Sequence, residues 1–273
     1  MLKKLLKYDW TLYWRTPAII NIFLLIITGV GVIFLISPLW KLDDQLLEYL
    51  KVLAGFFYVV SIFAGSMAVT IYIAIRYYKN LYTDEGYLTN TLPVAPWQII
   101  LSKLLISVAW NLITGIVVML SVFALFMAFL RTFDSDGVQE VLRNAPEIMQ
   151  FLLDFLDMNA FTLILFSVVY TVISTTFSVL MIFSAIALGQ LFTGHRVAGA
   201  VLWYILQYVV VQIASAVFLN APIMLFNVAG FTRSSGSTFI RALWSGQTLA
   251  TILGSLLLFF IAESMLRRNL NLE

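Results

Sequence analysis

Long apolar blocks alternate with short polar stretches along the whole chain. A helix that spans a bilayer needs roughly 20 mainly apolar residues at a rise of about 1.5 Å each. Six blocks meet this requirement: residues 18–38, 52–75, 99–130, 160–190, 197–219 and 247–266. The third and fourth are longer than a bilayer requires, so we expect them to tilt or project beyond it. The pattern predicts an all-α integral membrane protein with six transmembrane helices, forming one transmembrane domain over residues 1–273.

Residues 1–16 are amphipathic rather than uniformly apolar. At about 100° per residue, leucines and Tyr13 fall on one face. The other face collects basic residues, namely Lys3, Lys4, Lys7 and Arg15. Such a helix lies on a membrane surface with its basic groups towards anionic headgroups. We therefore predict an interfacial helix, after which Pro17 begins the first span.

One carboxylate, that of Asp9, falls on the apolar face of this helix. A buried carboxylate needs a partner. One interpretation is a structural salt bridge to a basic residue at a cytosolic helix end: Arg76, Lys79 or Lys103. The alternative is that the helix and the bilayer surface leave Asp9 hydrated.

Residues 131–159 form a polar loop in which apolar positions recur at helical spacing on both sides of Pro146. The pattern predicts two short amphipathic helices outside the membrane, divided by this proline. They would act as a structural lid or contact a substrate.

Residues 220–246 begin apolar but are interrupted at Asn220, Pro222 and Gly230. Backbone that enters the membrane must be helical or buried in protein. The segment predicts two re-entrant helices joined near residues 234–237. The alternative is an outer loop with one interfacial helix.

The last span carries small residues at four-residue spacing, at Gly246, Ala250 and Gly254. Small residues at this period let another helix approach closely. They predict a helix-packing seam, either within the subunit or between two subunits.

Composition and charge support a membrane protein and give it an orientation. The chain is 62% hydrophobic and only 11% charged, and its mean hydropathy is +0.97. With the N-terminus inside, ten basic residues fall on the cytosolic side and six on the outer side. The positive-inside rule therefore favours cytosolic N- and C-termini.

Several kinds of chemistry have no residues to support them. The chain has no cysteine and one histidine, His195. The middles of the spans hold no charged residue, and Glu263 lies towards the cytosolic end of the last one. Proton relays and ion-coupled transporters need such charges. No phosphate-binding P-loop motif occurs. We expect no metal and no cofactor in this chain, and no enzymatic activity of its own.

The spans do contain polar amides, which allow two interpretations. Together with frequent aromatic residues they could line a path for an amphipathic or lipid-like substrate. The alternative is that they form hydrogen bonds between helices. The amides are Asn21, Asn111, Gln190, Gln207 and Gln212.

Residues 79–97 form a polar connector between the second and third spans. Thr83 is a good N-cap residue, and Asp84 and Glu85 follow in the first turn, where the helix dipole favours carboxylates. Gly86 stands where a capping box would have Glu, and Pro93 ends the element. The connector predicts a short helix over residues 84–90 on the cytosolic face.

Tyr87 and Leu88 give this short helix an aromatic and an aliphatic group suited to a groove on a soluble partner. The sequence over residues 82–88, the TLPV over residues 91–94 and Lys103, together with Asp9 in a basic amphipathic start and six spans, resemble the membrane subunits of bacterial type-2 ATP-binding-cassette (ABC) exporters. The resemblance covers the layout of the whole chain and, in specific residues, mainly 82–103.

This resemblance implies an elbow helix over residues 1–16, a coupling helix within 79–97 and re-entrant helices between spans five and six. It also implies a second permease subunit, identical or homologous, and separate ATP-binding subunits that hold ATP and magnesium. The chain would be a permease of the bacterial plasma membrane that contacts lipids and no nucleic acid. Its coupling residues would be Thr83, Asp84, Glu85, Gly86, Tyr87 and Leu88.

The cargo expected from the aromatic, uncharged spans is an amphipathic, peptide or lipid-like molecule. A different function remains open from the sequence: a membrane scaffold or sensor that recruits a cytosolic ATPase and transports nothing.

Overall fold

The computed structural model describes residues 2–37, 45–83, 85–87, 93–132, 136–156, 158–192, 194–228 and 236–268. Over these ranges the chain is helical and contains no strand. The helices are α1 (Leu2–Tyr13), α2 (Arg15–Ile36), α3 (Gln45–Tyr82), α4 (Pro96–Thr132), α5 (Asp136–Leu156), α6 (Ala160–Gly189), α7 (Arg196–Val228) and α8 (Gly236–Arg268).

Six of these helices contain segments that are long and apolar enough to cross a membrane. They coincide with the six blocks expected from the sequence. The predicted all-α fold with six potential spans is thus confirmed. The segments are Arg15–Ile36, Tyr49–Tyr82, Pro96–Leu130, Ala160–Gly189, Arg196–Val217 and Leu243–Arg267.

The amphipathic start is a helix, as predicted. In α1 the lysines are exposed, whereas Tyr13 and Asp9 are buried. Asp9 is only 2% exposed, so the interpretation that leaves its carboxylate hydrated is wrong. The location of α1 at a membrane surface stays a prediction.

Two prolines that were expected to break helices do not. Helix α5 runs through Pro146 without ending, so the prediction of two short helices there is wrong. Helix α7 likewise continues past Asn220 and Pro222 to Val228. The described residues of 220–246 therefore belong to two long helices rather than to a separate short pair. Gly230 and the start of the predicted junction at 234–237 lie outside the described residues, and the re-entrant arrangement is not confirmed.

The chain divides into two compact units. The first, called the N-terminal unit, comprises Lys3–Arg76 and Ala109–Pro146. The second, called the C-terminal unit, comprises Met1–Leu2, Tyr77–Val108 and Glu147–Glu273.

In the N-terminal unit, two hydrogen-bonded pairs join α2 to α4. Asn21 Nδ2 donates to Thr114 Oγ1 at 3.1 Å, and Thr28 Oγ1 donates to Ser121 Oγ at 2.8 Å. The pairs lie seven residues apart on each helix, or about two turns. Because the residue numbers of the paired residues increase in the same direction along both helices, α2 and α4 are parallel. First and third spans of an alternating bundle require this arrangement.

Close packing and aromatic contacts complete this unit. Gly65 of α3 lies against Leu24 of α2, where an added Cβ would come within 2.9 Å of the leucine Cγ. The ring of Trp10 in α1 stacks on that of Trp110 in α4, with centroids 5.5 Å apart. Helix α1 is thereby fixed to the spans of its own unit.

In the C-terminal unit, α6 packs along both α7 and α8, whereas α7 and α8 make little contact with each other. At the α6–α7 turn, a Cβ on Gly189 would lie 2.6 Å from the backbone nitrogen of Ala200. Only glycine allows two backbones to approach this closely. Because it packs on both of the other helices, α6 is the central helix of this group.

Candidate partner-docking site

The connector begins with a tight turn directly after α3. The Thr83 hydroxyl donates to the Lys79 carbonyl at 2.6 Å, and the Gly86 backbone N–H donates to the Thr83 carbonyl at 2.7 Å. Residues 85–87 form a single helical turn. We refer to Thr83 together with residues 85–87 as the docking turn. Residues 84 and 88–90 of the predicted helix over 84–90 lie outside the described ranges, so that helix stays a prediction.

Gly86 is the residue that makes this turn possible. It is buried, and a Cβ added to it would lie 2.6 Å from the carbonyl carbon of Leu81. Because that atom belongs to backbone, it cannot rotate away as a side chain could. The close approach therefore requires glycine at this position.

Two side chains of the docking turn point outward. Glu85 is exposed, and Tyr87 is 63% exposed. Thr83 is half-buried. Two further predicted coupling residues, Asp84 and Leu88, lie outside the part of the chain that the structure describes. The described turn thus offers an acidic and an aromatic group on an outward surface.

The turn lies next to a buried polar pair that joins the helices on either side of the connector. Lys103 in α4 is 1% exposed, and Asn80 in α3 is also buried. The lysine Nζ donates to Asn80 Oδ1 at 2.9 Å. A buried ammonium is tolerated only with such partners, so this bond fixes the end of α3 to the start of α4.

Aromatic rings tie the same region to α6. Tyr77 stacks on Phe183 of α6, with centroids 3.7 Å apart and planes 8° from parallel. Tyr82 meets the Tyr77 ring edge-on at 6.3 Å. All three rings are buried. The docking turn therefore follows directly on a cluster of buried rings that extends to α6, the central helix of the C-terminal unit. We call this cluster the rigid base of the turn.

The structure describes the burial of all four residues of the predicted salt bridge. Asp9 is buried and Arg76 half-buried, and both belong to the N-terminal unit. Lys79 is exposed and Lys103 buried, and both belong to the C-terminal unit. Pairing of Asp9 with any of these cations stays a prediction.

Of the three small residues of the last span, Gly254 packs against another helix of the same chain. A Cβ on Gly254 of α8 would lie 2.8 Å from Cε2 of Phe177 in α6. Ala250 is exposed and Gly246 half-buried. Gly254 thus serves a contact within the subunit, and a seam between two subunits stays a prediction.

The amides in the spans mostly form hydrogen bonds between helices. Asn21 bonds Thr114, Asn111 accepts from Thr70 at 3.3 Å, and Gln207 accepts from Ser184 at 3.2 Å. The other two bond within the chain segment that carries them: Gln190 donates to Ile186 and Gln212 to Tyr208. The helix–helix interpretation is confirmed for Asn21, Asn111 and Gln207.

Sequence reasoning missed Tyr77, Asn80 and Phe183. Asn80 has no local sequence signal, because its hydrogen-bond partner, Lys103, lies 23 residues further along the chain. The Tyr77–Phe183 stack joins residues more than a hundred positions apart and has no local signature.

The fold defines the class of a multi-pass helical membrane protein. No protein-family model, curated protein or solved structure matches the chain.

Proposed function

We propose that this chain is the permease subunit of an ABC transporter that exports an amphipathic, peptide or lipid-like substrate. The observation that carries the proposal is the docking turn, with Glu85 and Tyr87 outward and a buried Lys103–Asn80 pair beside it. A partner that exerts force on a membrane protein needs an exposed contact with a rigid base. A loose loop would absorb the movement instead.

The rigid base also gives the movement a route into the spans. The rings of Tyr82, Tyr77 and Phe183 connect the end of α3 to α6, and α6 packs along α7 and α8. Closely packed interiors transmit displacement rather than absorb it. A shift of the docking turn would therefore reach three membrane helices of the C-terminal unit.

In this proposal the chain performs no catalysis. ATP and magnesium bind to a separate ATP-binding subunit, which meets the docking turn on the cytosolic side. A second permease, identical or homologous, completes the transporter in a bacterial plasma membrane. Both termini of the chain are cytosolic.

A single-cysteine cross-link tests the contact. Because the chain has no native cysteine, Tyr87→Cys provides one unique thiol, to be cross-linked to cysteines introduced on a co-expressed ATP-binding subunit from a neighbouring gene. Tyr49→Cys is the matched control, because Tyr49 is 73% exposed and lies near the opposite end of α3. We expect a cross-link at position 87 and none at 49. The proposal would be contradicted if no ATP-binding subunit co-purified with the chain or cross-linked to it.

Transport separates the proposed permease from a non-transporting scaffold with the same docking turn. Purified complex in vesicles should hydrolyse ATP faster when cargo is added and should accumulate cargo in the lumen of inverted vesicles. A scaffold would give the cross-link at position 87 without either response.

A further inference from the structure

Helix α5 is exposed on every side along the middle of its length. Each residue from Arg143 to Gln150 is exposed, and this run covers more than two helical turns, so every face of the helix is included. Among these residues, Ile148 is 53% exposed and Met149 is 50% exposed. The chain itself therefore leaves about half of the surface of these two large apolar side chains uncovered.

The two sides of α5 differ in chemistry. Of the helices that the structure describes, α5 has the most one-sided distribution of apolar residues. We call Ala145, Ile148 and Met149 the apolar patch, because residues three and four positions apart are neighbours on a helix surface. At about 100° per residue, Met149 is directed about 160° away from Glu147. Three exposed carboxylates recur every seven residues on that other side: Glu140, Glu147 and Asp154.

Short connections hold both ends of α5 close to helices that can span the membrane. Helix α4 contains a span that ends at Leu130 and continues to Thr132, and α5 begins at Asp136. At its other end α5 stops at Leu156, and α6, itself a span, begins at Ala160. Each connection has three residues, so it reaches at most about 14 Å even when fully extended.

The second connection is compact. The Met158 backbone N–H donates to the Leu153 carbonyl at 3.0 Å, and the Leu163 N–H donates to the Asn159 carbonyl at 3.0 Å. Leu156, the last residue of α5, is buried. The last turn of α5 is therefore joined directly to the first turn of α6, at the level where α6 enters the membrane.

The length of α5 then decides its direction. At about 1.5 Å per residue, the helix is about 30 Å long. Standing upright on the end of α6, it would hold its first residue about 30 Å above the membrane. The end of α4 and the first connection together reach only about 17 Å beyond the span. Helix α5 must therefore lie within about 35° of the membrane plane.

We propose that α5 is an interfacial helix whose apolar patch inserts among the headgroups and upper acyl chains of the bilayer, at the surface where α4 ends and α6 begins. Its carboxylates face water. A helix that lies in this plane has the bilayer beside it along its whole length, and an apolar face is stabilised by entering the headgroup region.

The charge of α5 disfavours a second copy of the chain as the occupant. The described side chains of the helix carry three exposed carboxylates and one exposed guanidinium, that of Arg143. Two such helices side by side would repel each other. A neutral phospholipid surface carries no such penalty. The inference is independent of the proposed function and of the orientation of the chain.

A fluorescence scan of the full-length protein in phosphatidylcholine vesicles tests the proposal. Because the chain has no native cysteine, single cysteines can be introduced from Arg143 to Gln150, with Pro146 omitted, and each labelled with an environment-sensitive fluorophore. One quencher is phosphatidylcholine with a nitroxide on its upper acyl chain. The other is iodide, present on both sides of the membrane.

Quenching by the lipid nitroxide should vary along the run with a period of about 3.6 residues, and quenching by iodide should vary in the opposite sense. Met149→Cys and Glu147→Cys form the matched pair, since both positions are exposed and they lie on opposite faces. We expect the nitroxide to quench the fluorophore at position 149 more than at 147, and iodide to quench it more at 147 than at 149.

Three results would overturn the proposal. Equal quenching by iodide at positions 147 and 149 would mean that water surrounds α5. A steady rise or fall of lipid quenching along the run would mean that the helix stands upright. A blue-shifted emission at position 149 that neither reagent quenches would mean that protein covers the apolar patch, as a second copy would.

A charge added to either face gives a second test. The fluorophore is placed at Ala145→Cys, within the apolar patch. Met149→Glu should lower its quenching by the lipid nitroxide and raise its quenching by iodide, because a carboxylate resists transfer out of water. Gln150→Glu adds the same charge on the water side and should change neither. Both positions are exposed, so both variants should fold. Equal effects of the two substitutions would contradict insertion of the patch.

Discussion

Gly86 shows how one missing side chain shapes the docking turn. We predict that Gly86→Ala opens the turn, because the new Cβ would collide with the Leu81 backbone. Overpacking of this kind costs about 1–3 kcal/mol. The thermal unfolding midpoint of the detergent-purified protein should fall accordingly.

Gly55→Ala is the control for this prediction. Nothing lies within 4 Å of a Cβ added to Gly55, which is an interior residue of α3. Alanine is favoured over glycine in a helix by roughly 0.5–1 kcal/mol, so this variant should unfold at the same or a higher temperature. Equal effects of the two substitutions would contradict the steric role of Gly86.

The Lys103–Asn80 bond permits a double-mutant cycle. Asn80→Ala should destabilise by about 1.5–3 kcal/mol, because it takes a hydrogen bond from a buried ammonium. In a Lys103→Met background, which removes the charge at similar volume, the same change should cost less. We expect a coupling energy of about 0.5–3 kcal/mol from unfolding midpoints.

A second cycle calibrates this coupling. Ser167→Ala changes an exposed hydroxyl of α6 that bonds the Ile164 carbonyl of its own helix. Combined with Asn80→Ala, it should be additive within about 0.5 kcal/mol. Additivity of Asn80 with Lys103 as well would mean that the bond contributes nothing to stability.

For single residues, the sequence indicated which positions are unusual better than it indicated what each of them does. Gly86 was recognised as an exception to a capping box, but its steric role depends on a backbone atom five residues earlier. Lys103 was expected at a helix end with a carboxylate partner. The structure gives it Asn80 as a hydrogen-bond partner, and nothing in the local pattern distinguishes an amide acceptor from a carboxylate.

Among the helices, prolines illustrate what could be predicted and what could not. Pro17 was expected at the start of the first span, and it lies in the first turn of α2, where the N–H groups have no helical partners in any case. Pro146 and Pro222 were expected to end or interrupt helices, yet α5 and α7 continue through them. An interior proline loses one backbone bond, and in membrane helices neighbouring groups often compensate. That compensation is tertiary and leaves no local signal.

We predict that the hydrogen bonds between α2 and α4 stabilise the folded protein. Thr28→Val preserves shape but removes the donor to Ser121. Hydrogen bonds between membrane helices contribute about 0.6 kcal/mol on average and up to about 1.7, so the unfolding midpoint should fall by a small, measurable amount. The control is Thr171→Val, whose exposed hydroxyl bonds Ser167 in its own helix, and it should have no effect. A loss in the control equal to that in Thr28→Val would contradict an interhelical contribution.

For the whole molecule, the number of spans was predictable and their neighbours were not. Apolar length alone identifies a spanning helix. In lipid, however, the face that meets another helix is about as apolar as the face that meets acyl chains. Periodicity therefore does not show that α6 packs on both α7 and α8, or that a cavity separates the latter two. The Ser184–Gln207 bond is the kind of polar pair that indicates such neighbours once the structure is known.

The orientation of the whole chain is the prediction that connects the docking turn with a cytosolic partner. Basic residues favour a cytosolic N-terminus, which places the docking turn inside and the start of α3 outside. In intact cells, a membrane-impermeant maleimide should label Tyr49→Cys and leave Tyr87→Cys unlabelled until the membrane is permeabilised. Both tyrosines are more than half exposed, so access rather than burial decides the labelling. The cysteine-free parent chain controls for background. The reverse pattern would place the docking turn outside the cell, beyond the reach of any ATP-binding subunit, and would contradict the proposed function.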